Sequence, residues 1–385
     1  MRVLYITHFT SRNGSTIALL NIMHEMLNKG VEVGILLPKK EGFLYEESNK
    51  FGIDTFSLGY SYRWALIKTE APRIKNKIKR YLTYFRQVIN THKDVKHIIE
   101  KYRPDIVHCN NGVLDYALLG CHDFGIPHVW HLREYQDLDF GFEVFPSMKF
   151  LKWKLRLSYN HNIAITKGIF THFDLRPSDK VIYDGVIDTK RHESPCTDFD
   201  FPYFLYVGTI GQGKGLHCIL EQFHVVLQHH PQVHLLIANK YHQADPYFIK
   251  CQQIIKYYNI EGCVHFLGAR TDVYSLMQSA IALIVPSYFE GFGFITVEAM
   301  YNHCLVIGRN NAGTKEQFNN GLEYTGHEIG LRFNYDNELP TLMCKAIIGD
   351  FSEMKQHAYN TVVNHYTTQN NADNIYQYYK DILNI

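Results

Sequence analysis

The sequence predicts an α/β protein built from two doubly wound, Rossmann-like domains in series. Three observations carry this. Short apolar runs of strand type alternate with amphipathic stretches of helix type, the alternation breaks once near the middle, and it then restarts. A length of 385 residues exceeds one ordinary core and fits about two. A hydrophobic fraction of 46% with 20% charged residues describes a packed chain and not a disordered one.

In order along the chain, "RVLYIT" reads as a strand, "STIALLNIMHEMLNKG" as a helix closed by Gly30, and "VEVGILLP" as the next strand. "IVHCNN", "HVWHL", "NIAIT" and "KVIYDGV" follow as short runs rich in β-branched or aromatic residues. The stretch "TKRHESPCTDFDFP" has no period and carries Pro195 and Pro202, which marks a linker. The pattern resumes with "YFLYVG", "GLHCILEQFHVVLQHH", "VHLLIANK" and "YFIKCQQIIKYY", then runs through "VHFLG" and "IALIVPS" to "CLVIGR". The expected division is a first domain over 1–188, a linker over 189–202, a second domain over 203–366 and a terminal helix over 367–385, "ADNIYQYYKDIL" being amphipathic. In such sheets ligands sit beyond the carboxyl ends of the strands, so a cleft between two facing domains is the expected site.

Composition removes several function classes. A net charge of +1 gives no bulk attraction to nucleic acid. The eight cysteines contain no C-x-x-C pair and read as buried or idle thiols in a reducing compartment. "MRVLYITHF" lacks the apolar segment and cleavage site of a signal peptide, and no apolar run is long enough to span a bilayer. The expected location is the cytoplasm.

Two loops carry chemistry. In "YVGTIGQGKG" a glycine-rich turn between strand and helix places Gly208, Gly213 and Lys214 as a phosphate-binding loop would, because bare amides, a helix N-terminus and an ammonium all favour an anion. Position 215 is Gly where a nucleotide-triphosphatase loop needs a hydroxyl for magnesium, so a diphosphate loop without protein-bound metal is more consistent. A plain glycine turn with a surface Lys is the bland reading. In "VPSYFEGFGFITVEAM", Glu290 follows a strand, Gly291 and Gly293 permit a tight turn, and Glu298 lies in the next helix. Carboxylates accept from paired sugar hydroxyls, and exposed amides near Gly293 to Ile295 suit an anion. Taken singly, each Glu reads as a solvated surface residue.

Together "YVGTIGQGKG", "VHFLG", "VPSYFEGFGFITVEAM" and "NNAGTKEQFNNG" resemble the C-terminal half of retaining glycosyltransferases of GT-B fold, family 4 type, with its E-x7-E motif. "RPDIVHCNN" and "VIYDGVID" match the first domain of that family more loosely. The resemblance implies that Lys214 holds the donor diphosphate and that Glu298 accepts from the ribose hydroxyls. It gives Glu290, with the amides of Gly291, Phe292, Gly293, Phe294 and Ile295, to the donor sugar. Gly14 would approach the donor from the first domain, and the segment from Arg270 to Val273 would contact the base. Thr209 stands where the family has an Arg, so part of the diphosphate clamp must come from elsewhere. Arg133, found where the family often places a His near the reacting sugar, is the replacement expected, with His131 as its rival. His303 and Leu305 replace a Gly and a Pro and bear on packing. No metal or other cofactor is expected, and two D-x-D triplets, Asp137-Leu138-Asp139 and Asp198-Phe199-Asp200, are taken as chance.

The implied reaction is transfer of a hexose from a nucleotide sugar, a UDP-sugar by family frequency, with retention and with the leaving phosphate assisting the acceptor. A GT-B epimerase, a P-loop phosphohydrolase and a non-catalytic nucleotide- or glycan-binding protein are the rivals. Between Arg63 and Arg86 eight Lys or Arg accompany a single acid, Glu70, and "FPSMKFLKWKLRLSYN" mixes Lys149, Lys152, Lys154 and Arg156 with apolar residues. Such segments suit an anionic membrane surface and a lipid-linked glycan acceptor, against the bland reading of solvated helix faces.

Overall fold

The computed structural model describes residues 1–59, 67–68, 74–112, 115, 117–188 and 199–385. Residues 189–198 of the expected linker, Glu70, and Asp198 of the second D-x-D triplet lie outside the described residues. By contacts the chain divides into two units, Met1–Gly185 with Thr368–Ile385, and Val186–Thr367.

Unit 1 holds the strands β1 (Arg2–Ile6), β2 (Glu32–Leu37), β3 (Asp54–Ser57), β4 (Ile67–Lys68), β5 (Ile106–Cys109), β6 (His128–Leu132), β7 (Phe142–Glu143), β8 (Asn160–Ala164) and β9 (Lys180–Val181). Its helices are α1 (Gly14–Asn28), α2 (Phe43–Lys50), α3 (Ile74–Tyr102), α4 (Leu118–Phe124), α5 (Asp137–Phe140), α6 (Met148–Leu155) and α7 (Lys167–His172). Seven strands form one parallel sheet in the order β3-β2-β1-β5-β6-β8-β9, and β4 pairs with β7 antiparallel. The strands read as unbroken apolar runs because helices cover both faces.

Unit 2 holds β10 (Tyr203–Val207), β11 (His234–Ala238), β12 (Val264–Gly268), β13 (Ala282–Val285), β14 (Val306–Arg309) and β15 (Leu331–Phe333). Its helices are α8 (Leu216–His229), α9 (Pro246–Tyr257), α10 (Val273–Ser279), α11 (Phe294–Tyr301), α12 (Ala312–Thr325), α13 (Leu339–Ile348) and α14 (Ser352–His365). The six strands are parallel in the order β12-β11-β10-β13-β14-β15. Each sheet has its own core: Phe204, Leu220, Phe223, Ile237 and Ile307 pack in unit 2, and Val3, Tyr5, Leu19, Met23 and Ile35 in unit 1.

The last helix, α15 (Thr368–Leu383), returns to unit 1. Ala372, Ile375, Tyr378 and Tyr379 bury their side chains in the core that α1 covers, and Lys29 pairs with Asp373 at the edge. Its apolar stripe predicts a buried face, and the packing on α1 supplies the partner that periodicity cannot name.

Candidate functional site

In unit 2 the chain runs from β10 outward to β11 and β12, then crosses back to β13 and continues the other way. The reversal leaves a crevice above the carboxyl ends of β10 and β13, where doubly wound sheets bind ligands. Both chemistry-bearing loops lie there. Gly215, with φ 71, closes the first loop, and a Cβ on it would stand 2.5 Å from the Pro286 carbonyl oxygen. Only Gly satisfies both conditions. The Tyr288 amide donates to the Gly213 carbonyl at 3.0 Å, so the loop after β10 lies directly on the loop after β13.

That contact brings Lys214 Nζ to both carboxylate oxygens of Glu290, at 2.8 and 2.9 Å. The pair stays accessible, with 37% of the Lys214 side chain and 15% of the Glu290 side chain exposed. Loop 290–293 is held from beneath by α12. The Gly313 amide donates to the Glu290 carbonyl at 3.0 Å, and Gln317 Nε2 donates to the carbonyls of Phe292 and Gly293 at 2.8 and 3.2 Å. Gly313 must be Gly, since its Cβ would come within 2.3 Å of the Phe292 carbonyl oxygen.

Gly293, with φ 94, begins α11 without a side-chain cap, and α8 likewise begins at Gly215 without one. The opening amides of α11 at Phe294 and Ile295 therefore have no capping side chain, which suits an anion. Glu298, on α11 and half-buried, accepts from the Tyr274 hydroxyl of α10 at 3.5 Å. Val273 opens α10, while Arg270 is tied to Asp272 by two bonds of 2.8 and 2.6 Å. The Phe292 side chain is core, 3% exposed and edge-on to Tyr366, so only its backbone can serve a ligand.

Thr209 sits on the rim of a cavity of about 570 Å³ beside this crevice, shared with Ile210, Lys240, Tyr241, Asp245 and Phe248. The residues after β11 carry no motif, and their place at a strand's carboxyl end was the one signal for them. Arg309 was also missed. It ends β14, donates to the Pro286 carbonyl at 2.9 Å, stacks over Tyr288 at 4.5 Å, and pairs with Asp336 at 2.6 Å. It thereby braces the loop after β13, on which the loop after β10 lies.

In unit 1 the corresponding reversal lies between β1 and β5. Gly14 opens α1 just past the cap Asn13, whose backbone amide donates to Thr16 Oγ1 and whose side chain accepts from the Thr16 amide, both at 3.0 Å. Asn110, beyond β5, donates to the Ser15 carbonyl at 3.1 Å and accepts from Arg133 Nε at 3.0 Å. Arg133 is 4% exposed and ion-paired with the equally buried Asp184. The charge of Arg133, which the sequence reading gives to the diphosphate clamp, is thus matched by Asp184 inside unit 1. His131 is fully buried, with its Nδ1 3.1 Å from His108 Nε2. Burial, and next the Arg133 charge, push both imidazoles well below the ordinary histidine range, so both are neutral.

Lys154, expected on a basic surface, is buried in a pair with Asp115. Asp139 accepts from the Tyr135 amide of its own loop at 2.8 Å, and Asp137 faces His172 of α7 at 2.9 Å. No group of three or more metal-binding side chains occurs among the described residues.

Residues 189–327 match the family model of the Glycosyl transferases group 1. Glycogen synthase of Fusobacterium nucleatum is 22% identical over 323 residues, 69% of this chain and 68% of that protein. The crystal structure of a glycosyltransferase from Rickettsia africae superposes with a TM-score of 0.77 at 16% identity, covering 99% of this chain and 98% of the other. Anabaena Alr3699/HepE in complex with UDP and glucose gives 0.74 at 17% identity, covering 98% of each chain. An uncapped pair of helix starts and a Lys–Glu pair over the β10/β13 crevice thus lie in a chain of GT-B fold whose residues 189–327 match the Glycosyl transferases group 1 model.

Proposed function

We propose that the protein is a retaining glycosyltransferase that moves a hexose from a UDP-sugar to a saccharide or lipid-linked glycan in cell-surface polysaccharide assembly. The observation that supports this reading is the accessible Lys214–Glu290 pair above the β10/β13 crevice. An exposed pair of this kind is worth little to stability. Its partners are free to exchange for ligand groups: Lys214 turns to the diphosphate, and the released Glu290 accepts from hydroxyls of the donor sugar. The amides of α11 and the start of α8 add fixed positive potential where the leaving phosphate gains charge, so the residues present offset that charge without a protein-bound metal. Glu298 serves the ribose, and the Arg270–Val273 segment serves the base. An epimerase would share the donor site and need no acceptor.

The test is calorimetric binding of UDP, GDP and ADP with a chelator present, on wild type and Glu298→Ala. Tight binding of UDP without metal, weakened about tenfold in Glu298→Ala, is the expected result. A requirement for magnesium and ATP would sink the assignment.

A membrane-facing acceptor side is the second reading, favoured by one specific observation. On α3, Ile78, Leu82, Phe85 and Ile89 form a stripe at helical spacing, 53 to 68% exposed, with Lys79 and Arg86 also exposed. On α6, Trp153 is 57% exposed and stacks on Phe150. Tyr81 and Tyr84 of α3 pack on Phe145 just before α6, so the two surfaces are neighbours. Apolar residues rimmed by cations suit the headgroup region of an anionic bilayer at the cytoplasmic face. No helix among the described residues is long and apolar enough to cross one.

A further inference from the structure

The loop after β13 turns its carbonyls to one side. Those of Tyr288, Glu290 and Phe292, at every second residue, accept from Asn311 Nδ2, the Gly313 amide and Gln317 Nε2, all in or beside the first two turns of α12. Gln317 Nε2 also reaches the Gly293 carbonyl at 3.2 Å, which the Thr296 amide meets at 3.1 Å. Glu290 marks the two sides of the loop, since its carbonyl faces α12 and its carboxylate meets Lys214. Gln317 itself is 1% exposed, and its Oε1 is buried without a partner. Packing alone does not call for an amide here, because an apolar side chain would bring no such orphan.

Peptide geometry converts these bonds into a direction. In a trans peptide the C=O of one residue and the N–H of the next point opposite ways. With the Glu290 carbonyl held toward α12, the Gly291 amide points away from it. The Phe292 and Gly293 carbonyls, both held by Gln317, aim the amides of Gly293 and Phe294 away likewise. Gln317 can hold two carbonyls only through its NH2 group, since the reversed amide would set oxygen against oxygen. None of the three amides donates to a group among the described residues, and Gly291 and Phe294 keep part of their surface. Successive amides turned to one side make a concavity for an anion, here on the side where Lys214 stands.

We infer that Gln317 is a positioning residue: by holding the Phe292 and Gly293 carbonyls, it turns the amides of Gly293 and Phe294 to the Lys214 side, where they receive a phosphate oxygen of the nucleotide. The nucleotide half of this rests on the glycosyltransferase reading. It gives α12 a part in binding besides packing.

The experiment measures binding of uridine, UDP and inorganic pyrophosphate to the full chain by ligand-observed NMR with a chelator present, for wild type, Gln317→Met and Gln317→Asn. Met keeps the length of the side chain and has no N–H, while Asn keeps the amide but stops one methylene short of the loop. Both variants are expected to bind UDP and pyrophosphate about tenfold more weakly, and uridine as wild type does. A loss confined to the phosphates is not what a general loosening of unit 2 produces. The proposal is overturned if pyrophosphate affinity is the same in wild type and both variants, or if uridine weakens by the same factor. Urea midpoints check folding, and failure of both variants to fold would make the amide a packing element, which also overturns it. A wild type that binds pyrophosphate but no UDP would sink the sugar-nucleotide reading and leave the positioning role to the pyrophosphate comparison. One that binds neither sinks both.

Discussion

Each sheet carries an ion pair at its carboxyl edge, and the surroundings of the two differ sharply. In unit 2 the Lys214 and Glu290 side chains keep 37% and 15% of their surface, whereas in unit 1 Arg133 and Asp184 keep 3% and 1%. A partly hydrated pair exchanges partners at little cost. A fully desolvated one cannot, because separating it strands a charge in a medium that solvates it poorly. Residue type alone therefore does not mark a ligand-binding cation. Lys214 keeps a partly hydrated charge, whereas the Arg133 charge is enclosed with that of Asp184.

The largest effect expected is structural. Asp184→Ala leaves the Arg133 charge buried and unmatched and should lower stability by about 3–5 kcal/mol, read from the urea midpoint. Lys214→Met in the other pair should change stability by less than about 1 kcal/mol. The same variant should weaken nucleoside-diphosphate binding about a hundredfold. If Lys214→Met unfolds the protein while Asp184→Ala is tolerated, the contrast between the two edges is wrong.

A smaller effect is expected where the two loops of unit 2 touch. Gly215→Ala puts a methyl against the Pro286 carbonyl in a left-handed backbone, at an expected cost of about 1–3 kcal/mol. The strain falls on the contact that joins Lys214 to Glu290, so diphosphate affinity should drop with stability. Normal affinity in a destabilised Gly215→Ala would show that the pair does not depend on that approach.

Strands were the most legible part of the fold, because helices on both faces force runs such as "VLYI" and "ALIV" to be apolar throughout. The glycine-rich spacing likewise marks Lys214, and the E-x7-E spacing marks Glu290 and Glu298. Nothing in either motif says that Lys214 and Glu290 pair, since 76 residues separate them and only the β10/β13 crossover brings them together. For the same reason the partner of Arg133 was invisible: Asp184 lies 51 residues on, beyond β9. Lys154 shows the limit of charge counting. Its neighbours Lys149 and Lys152 look identical in sequence, yet one turn of α6 aims Lys154 at Asp115.

The subtlest expected effect concerns Glu134, the residue after Arg133. Burial first, then the charge of Asp139 on α5, push its carboxyl from an ordinary 4.5 up to about 7, against the lowering influence of the Gln136 amide at 3.2 Å and of Arg133. Gln136 holds the turn in a left-handed conformation, φ 77, and is 1% exposed, while Glu134 itself is half-buried and keeps part of its surface in solvent. The folded value lies above the unfolded one, so the folded state keeps a proton that the unfolded chain releases. Glu134 therefore stabilises the fold fully below about pH 4.5, and that contribution is lost as the pH rises through about 7. Wild-type stability should decline over this interval by an amount of order 1–2 kcal/mol attributable to this group. Glu134→Gln, neutral at every pH, should flatten the decline while leaving the Arg133–Asp184 pair in place. Urea midpoints at about pH 5 and about pH 8 measure the slope, and an identical slope in the variant would return the pH dependence to other groups.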